Sequence, residues 1–141
     1  MGVNGHEIGP GVDLSGINLS GVNFSGVDLS GAKFIGADLS RSNLSNANLS
    51  GANFTAANLT DADLSNASLF SADLYGAKLS GAKLSGANFV NAKLAGADLD
   101  GVGLDGVDFS GAKFAQTEPI RGESGREIPV KSTLWWKATH K

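Results

Sequence analysis

The stretch Val12-Asp13-Leu14-Ser15-Gly16-Ile17-Asn18-Leu19-Ser20-Gly21 opens a five-residue repeat that decides the fold of this chain. Leu or Phe recurs at every fifth position from Leu14 to Phe114, 21 times without an insertion or deletion. We call this Leu or Phe the centre of each repeat. Ala or Val stands two positions before nearly every centre, Asp or Asn usually stands immediately before it, and Ser and then Gly usually follow. An internal period of this kind describes the whole architecture, so it is interpreted before any single motif.

A period of five residues fits neither an α-helix nor a regular β-strand. A helix would spread the centres around its circumference, and each of the repeated glycines would cost about 1 kcal/mol. A short extended segment followed by a turn fits instead, because the centre and the residue two before it then point to the same side. Gly tolerates the positive φ that such a turn needs. One unit buries nothing alone, so the turns must stack into a solenoid with like side chains about 4.8 Å apart.

The repeat resembles the pentapeptide-repeat family. Stretches such as Ala37-Asp38-Leu39-Ser40 and Ala97-Asp98-Leu99-Asp100-Gly101 match its A(D/N)LxG consensus closely, and the resemblance extends over most of the chain. It implies an all-β fold, a right-handed quadrilateral β-helix (a solenoid) with four pentads in each coil. Twenty residues per coil then give about five coils and a rod roughly 25 Å long. Members of the family are widespread in bacteria, notably cyanobacteria, and most have no assigned biochemical activity.

The limits of the repeat divide the chain into three parts. We expect residues 1–11 to be a lead-in that covers the first open edge, and residues 12–115 to form the β-helix. Residues 116–141 are interpreted as a linker followed by a short C-terminal capping segment that can include a helix. The side chains predicted to form the structural core are those of Leu14, Leu19, Phe24, Phe34, Phe54, Leu64, Phe89, Phe109 and Phe114.

The C-terminal segment contains two adjacent tryptophans, Trp135 and Trp136. An open solenoid end exposes unpaired backbone groups and apolar side chains, so a terminal cap is needed to prevent end-to-end pairing. The tryptophans fit such a cap, placed over the last coil near Phe109 and Phe114. Two other interpretations stay open, namely a surface for dimerisation or partner docking, and a mobile tail.

Composition excludes several classes of function. The 141 residues include no Cys, which removes disulfides, thiolate metal sites and thiol nucleophiles. The net charge of −3 is small, and although residues 116–141 are positive while residues 12–115 are negative, neither segment indicates a partner by its charge. The first residues have no signal-peptide pattern, and no apolar run is long enough to cross a membrane. We therefore expect a soluble, cytoplasmic protein.

The titratable residues form no pattern that predicts chemistry. His6 and His140 are the only histidines, and they stand near opposite termini. The aspartates are dispersed by the period and should face outward, whereas an acid–base pair needs unequal and partly buried environments. Residues 101–106 spell G-x-G-x-x-G without the strand–turn–helix context that binds a dinucleotide. We expect no enzyme and no catalytic, metal or cofactor site.

Exceptions to the consensus are the better candidates for function. The position after the centre is normally Ser or Thr, but Ile35, Tyr75 and Ala95 occupy it on one face and Phe70 and Val90 on a neighbouring face. Stacked residues of this kind form an exposed apolar strip, which can mark a contact surface. The alternative is a set of scattered hydrophobic residues that the fold tolerates.

Charged residues twenty positions apart should also be neighbours. We expect each such pair to contribute about 0–1 kcal/mol. The predicted opposite-sign pairs are Asp13 with Lys33, Asp63 with Lys83, Asp73 with Lys93, Lys78 with Asp98, and Arg41 with Asp61.

These features favour a non-enzymatic structural or protein-interaction scaffold. Its partner would be an unidentified protein, with no direct binding of nucleic acid or membrane, and the chain would be a monomer or an end-to-end homodimer. The resemblance also implies an alternative, because some family members that protect against fluoroquinolones resemble duplex DNA and bind DNA gyrase. A DNA mimic needs a long, continuous anionic surface. Here lysines interrupt the acidic columns, and the densest acidic patch (Asp98, Asp100, Asp105 and Asp108) occupies one coil.

Overall fold

The repeat forms a β-helix whose coil closes every twenty residues. The computed structural model describes residues 2–114 together with two short strands nearer the C-terminus. Single-residue parallel bridges join the residue before a centre to the residue twenty positions later, from the pair Asp13 and Lys33 to the pair Lys93 and Lys113, with Lys83 and Gly103 as the exception. Each coil therefore holds four pentads, one on each side. The predicted all-β, right-handed quadrilateral β-helix is confirmed.

Hydrogen bonds between successive coils satisfy the backbone of each side. The amide of Leu14 donates to the carbonyl of Lys33 (2.7 Å), and the amide of Lys33 donates to the carbonyl of Val12 (2.8 Å). The same pair of bonds recurs along the coil. Each side is only about three residues long before the chain turns, so the coils are joined by isolated bridges rather than by extended strands.

The corner between two sides is a four-residue turn. The amide of Ala32 donates to the carbonyl of Leu29 (3.0 Å), and Gly31 at the third position has a φ of 68°. A positive φ at this position is typical of type II turns and favours Gly. Several corners nevertheless hold another residue in the same conformation, including Arg41 (φ 57°) and Ala56 (φ 59°).

The interior is a continuous stack of centres and small residues. From Leu14 to Leu94 every centre is at most 2% exposed, and the alanines two positions before them in residues 32–92 are buried as well. Leu99 and Leu104 in the last coil are only half-buried, whereas Phe109 and Phe114 in the same coil are buried. The nine centres named above as the structural core are all at most 5% exposed: Leu14, Leu19, Phe24, Phe34, Phe54, Leu64, Phe89, Phe109 and Phe114.

A β-hairpin precedes the first coil. Strands β1 (Gly2–Val3) and β2 (His6–Glu7) pair antiparallel around Asn4 and Gly5, whose φ angles of 51° and 79° are those of a type I′ turn. Val3 and Ile8 pack against the core of the first coil. The lead-in segment is therefore a folded hairpin, which brings apolar side chains to the N-terminal end of the stack.

A second pair of strands follows the last coil. Strand β3 (Ile120–Arg121) pairs antiparallel with β4 (Glu127–Ile128). Both strands lie within residues 116–141, the segment interpreted above as a linker and cap. A two-residue strand has no local signal of its own and forms only where a partner strand is available.

Ser42 is an exception inside the core, and it supports a stability prediction. Its side chain is 1% exposed, and its hydroxyl has no hydrogen-bond partner among the residues that the structure describes. Ala62 holds the same position one coil later. An unpaired buried hydroxyl is costly, so we expect Ser42→Ala to raise the free energy of unfolding by about 1 kcal/mol. Urea denaturation would measure it.

Ser40→Ala is the matched control. Ser40 is also buried, but its hydroxyl donates to Asp38 (2.7 Å), so its removal should lower the free energy of unfolding. Equal changes for the two serines would contradict the distinction between a bonded and an unbonded hydroxyl.

Candidate interaction surface

Large apolar side chains are exposed at two corners of the coil. Ile35, Phe70 and Tyr75 are 41%, 44% and 58% exposed, whereas Val90 is half-buried. Ile35 and Tyr75 stand at one corner, two coils apart, with Thr55 between them. Phe70 and Val90 stand at the preceding corner in successive coils. Backbone hydrogen bonds hold both stacks in register, because the amide of Ala56 donates to the carbonyl of Tyr75 (2.9 Å) and that of Ser71 to Val90 (2.9 Å).

These two corners border the same side of the β-helix. The chain runs from Phe70 through residues 71–74 to Tyr75, which is one side of one coil. In the next coil the same side runs from Val90 to Ala95. We call this side, with residues 70–75, 90–95 and their equivalents at twenty-residue intervals, the Asp73 face. The two strips predicted on neighbouring faces therefore border one shared side, as the five-residue spacing of Phe70 and Tyr75 indicates.

Two residues of opposite charge, Asp73 and Lys93, lie between the two apolar edges. Asp73 and Lys93 occupy equivalent positions in successive coils and are joined by a parallel bridge. Oδ1 of Asp73 accepts a hydrogen bond from the backbone amide of Tyr75 (3.0 Å), which fixes the carboxylate beside the corner. In these two coils the face therefore presents a pair of opposite charges with apolar residues on either side.

The hydrogen bond that Asp73 accepts recurs along the repeat and was not predicted from the sequence. An Asp or Asn before the centre accepts a hydrogen bond from the backbone amide two residues later, as an Asx turn does. Asp13 and Asn43 bind the amides of Ser15 and Ser45 in this way, each at 3.0 Å. This geometry explains why the position is so often Asp or Asn rather than any polar residue. The signal in the sequence was that this position holds either Asp or Asn. Both side chains have an Oδ1 acceptor, but only Asp carries a charge.

The predicted opposite-sign pairs are neighbours in the structure. Four of them occupy bridged positions, whereas Arg41 and Asp61 stand at successive corners with positive φ. At Asp13 and Asp63, the charge of the paired lysine affects the pKa of the carboxyl less than local hydrogen bonds do. The pKa of each is lowered first by the hydrogen bond from the serine hydroxyl two residues on, and only to a lesser degree by the lysine in the next coil.

Acid sensitivity follows from the same hydrogen bonds. The hydroxyl and the amide of Ser40 both donate to Oδ1 of Asp38 (2.7 and 3.0 Å) and lower its pKa, with a smaller effect from Arg41. Because the folded-state pKa lies below the ordinary value of about 3.9, this stabilisation is present above that value and is lost as the pH falls through the folded-state pKa. We expect the free energy of unfolding to decrease below about pH 4.

Asp38→Asn provides the test, with urea denaturation at neutral and at acidic pH as the measurement. Asn keeps the Oδ1 acceptor, so stability at neutral pH should change little, while the loss on acidification should become smaller. An unchanged acid dependence would show that Asp38 contributes nothing to it.

Ionisable residues of the described part of the chain form no catalytic constellation. His6 is half-buried in β2, and no group of three or more His, Cys, Asp or Glu among the described residues is placed to hold a metal ion. The acidic patch of the last coil includes Asp98, whose Oδ1 accepts the amide of Asp100 (3.0 Å) in the usual Asx turn. Within the described residues, no helix is long and apolar enough to cross a membrane. His140, Trp135 and Trp136, and with them the predicted tail cap, lie outside the described residues.

Comparison with known proteins gives the fold its context. The profile of the family described as Pentapeptide repeats matches eight copies, over residues 11–46, 47–86 and 82–117. No match was found among curated proteins. The chain is similar to the crystal structure of a pentapeptide repeat protein from the cyanobacterium Cyanothece 51142, with 30% identity over 74% of this chain and 89% of that one and a TM-score of 0.60.

Two further solved structures are more distant. A pentapeptide repeat protein from the Arabidopsis thaliana thylakoid lumen is 28% identical over 81% of this chain and 72% of that one, with a TM-score of 0.38. QnrB1, a plasmid-mediated fluoroquinolone resistance protein, is 23% identical over 77% of this chain and 72% of that one, with a TM-score of 0.49. The profile match covers most of the chain and agrees with the twenty-residue coil. The chain belongs to the pentapeptide-repeat family.

Proposed function

We propose that the chain is a non-enzymatic scaffold that binds a partner protein through the Asp73 face. The exposure of Phe70 and Tyr75 on either side of Asp73 is the observation that supports it most. Monomeric surfaces rarely expose several large apolar side chains together, and aromatic residues are enriched at protein interfaces. Elsewhere on the described surface the same repeat position holds Ser, Thr or Asp, with Ser30 and Ser50 below Phe70. The cytoplasmic location expected from the sequence belongs to the same proposal.

The rigidity of the coil supports this role. Neighbouring coils are joined on every side by backbone hydrogen bonds, so the exposed rows keep a spacing of about 4.8 Å. A surface ordered in advance loses little conformational entropy when a partner binds. The buried interior, by contrast, is filled by stacked Leu, Phe and Ala side chains.

Affinity capture from cells of the source organism tests the proposal. The wild-type chain should retain a partner protein that the double variant Phe70→Ser/Tyr75→Ser loses by tenfold or more. The matched control is Ser20→Thr/Ser85→Thr, which changes exposed residues at the same repeat position on other corners. Equal capture by all three chains would overturn the proposal, and so would capture by none from a chain that also stays monomeric at millimolar concentration.

A gyrase-binding DNA mimic is the alternative proposal. An anionic surface of the required length is interrupted at the outward position before the centre by five lysines: Lys33, Lys78, Lys83, Lys93 and Lys113. Inhibition of DNA gyrase supercoiling by micromolar concentrations of the chain would favour this alternative over the scaffold. No inhibition at these concentrations would remove it.

A further inference from the structure

The outward charges of the Asp73 face follow an order that is complementary to itself. One residue per coil points outward at the bridged position, in the order Asp13, Lys33, Asn53, Asp73, Lys93 and Lys113. A second copy of this row can be laid on the first in the opposite direction, with the midpoint between Asp73 and Lys93 as the common centre. Asp73 of one copy then lies on Lys93 of the other, and Asn53 lies on Lys113. The reversal thus opposes unlike charges at its centre and no like charges anywhere.

We propose that the Asp73 face binds the same face of a second copy of the chain, with the two coils antiparallel. The two-fold axis lies in the interface, perpendicular to the coil axis, and passes between Asp73 and Lys93. Asp73 then faces Lys93 of the second copy, and Lys93 faces Asp73 of the second copy. An isologous contact of this kind forms each pair twice.

The apolar edges agree with the same register. A two-fold axis in this direction keeps each edge of the face on its own side, so each corner meets the same corner of the second copy in reverse order. Phe70 then lies opposite Val90 of the second copy, and Tyr75 lies opposite Ala95. Each large side chain meets a smaller one, which allows the two faces to approach closely.

Other arrangements oppose like charges or separate the apolar residues. Parallel coils would place Asp73 on Asp73 and Lys93 on Lys93. Moving the antiparallel axis onto Asp73 or onto Lys93 repeats one of these contacts. Moving it between Asn53 and Asp73 places Lys33 on Lys93, and Phe70 then meets Ser50 instead of Val90. An axis on Asn53 opposes Asp73 to Lys33 and Lys93 to Asp13 and places Tyr75 on Ile35, but Phe70 then meets Ser30. An axis between Asp13 and Lys33 also opposes unlike charges, but it leaves Phe70 outside the contact. Charge complementarity therefore narrows the registers, and the contact of Phe70 with Val90 selects the one centred between Asp73 and Lys93.

A second copy fits the face better than the C-terminal segment of the same chain. The outward row of the Asp73 face has three Lys and two Asp, and residues 116–141 carry a net charge of +2. Two positive surfaces repel each other, whereas the reversed row neutralises itself. The proposal deepens the proposed function and rests on its choice of face.

The contact is small, so the dimer should be weak. Four coils, from Asn53 to Lys113, span about 19 Å along the axis, and one side with its corners is roughly 16 Å wide. That footprint of about 300 Å² per copy is below the ~800 Å² per partner of stable complexes. We therefore expect association only at tens to hundreds of micromolar, and weaker association at high salt because the central pairs are charged.

Charge exchange tests the register, with sedimentation equilibrium at low ionic strength as the measurement. Asp73→Lys and Lys93→Asp should each weaken the homodimer by tenfold or more, because each opposes like charges at both central contacts. An equimolar mixture of these two variants should recover dimer, since it restores both unlike pairs. The double variant Asp73→Lys/Lys93→Asp should recover it as well. Lys already occupies this repeat position five times, and thermal melting would verify that every variant is folded.

Lys78→Asp is the matched control. Lys78 is bridged to Asp98 on the adjacent side, as Lys93 is bridged to Asp73, so Lys78→Asp has the same charge change as Lys93→Asp and likewise removes one opposite-sign pair within the chain. It should leave the dimer intact. A wild-type chain that stays monomeric up to millimolar concentration, or a dimer that all of these variants preserve, would overturn the pairing.

Failure of this inference is distinguishable from failure of the proposed function. A monomer whose capture of another protein still depends on Phe70 and Tyr75 overturns self-pairing and leaves the scaffold role. In a monomer, tryptophan emission that shifts on Phe70→Ser/Tyr75→Ser would identify the C-terminal segment as the occupant, which also overturns self-pairing.

Discussion

Leu64→Asp is expected to unfold the β-helix. Leu64 is 0% exposed and stacks between Leu44 and Leu84 in the coils before and after it. A carboxylate at this position would lie among apolar side chains, and burial of an unpaired ion costs several kcal/mol. That penalty is comparable to the whole stability of a typical domain, about 5–15 kcal/mol. Circular dichroism should show loss of the β-signal at neutral pH.

Asp63→Asn is the control at the adjacent residue. Oδ1 of Asp63 accepts the amide of Ser65 (2.9 Å), and Asn keeps that acceptor, as Asn43 shows one coil earlier. The free energy of unfolding at neutral pH should change by less than about 1 kcal/mol. Comparable effects of the two substitutions would mean that the inward and outward positions have been exchanged.

Phe54→Ala is expected to lower the free energy of unfolding by about 3–5 kcal/mol. Phe54 is 0% exposed, and its ring stacks on that of Phe34 with centroids 4.8 Å apart and planes 5° from parallel. Alanine would leave a cavity, and the walls of a coil joined by hydrogen bonds on every side cannot collapse into it. Loss of the ring stacking adds about 0.5–1.5 kcal/mol to the effect of lost burial. Urea denaturation gives the value directly.

Phe54→Leu is the matched control for that cavity. Leu74 occupies the same column one coil later, so the coil accommodates either side chain there. We expect a cost below about 1.5 kcal/mol. If Ala and Leu at position 54 cost the same, the ring of Phe54 is not packed as the structure has it.

Much of the fold could be predicted from particular residues of the repeat. The five-residue spacing of centres such as Leu59 and Leu64 excluded a helix, and the glycines at the corners indicated turns. The count of four sides per coil was implied by the family resemblance, because a spacing of five is compatible with more than one number of sides. The role of Asp63 was predicted only as an outward polar residue, since a hydrogen bond to the amide of Ser65 depends on the turn geometry.

The candidate surface could be predicted only in part. The departures from Ser at Phe70 and Tyr75 are visible in the sequence, and so is their twenty-residue relation to Val90 and Ala95. Their position as two edges of one side was not predicted, because a residue at a corner borders two sides and the repeat alone does not say which of them it shares with the next corner. The strand β3 was also missed, since pairing of Ile120–Arg121 with Glu127–Ile128 has no local signal.

The sequence by itself determined which side chains are inside and which are outside, because a period of five allows only one alternation once the turns stack. It also identified the residues that depart from the repeat consensus, such as Phe70 and Tyr75. Only the tertiary structure decided that the two exceptional corners border one side, with Asp73 and Lys93 in the row between them, and that Ser42 is buried without a hydrogen-bond partner among the described residues. The physical reason is that these relations depend on contacts between coils, where residues twenty positions apart are closer than those at opposite sides of one coil.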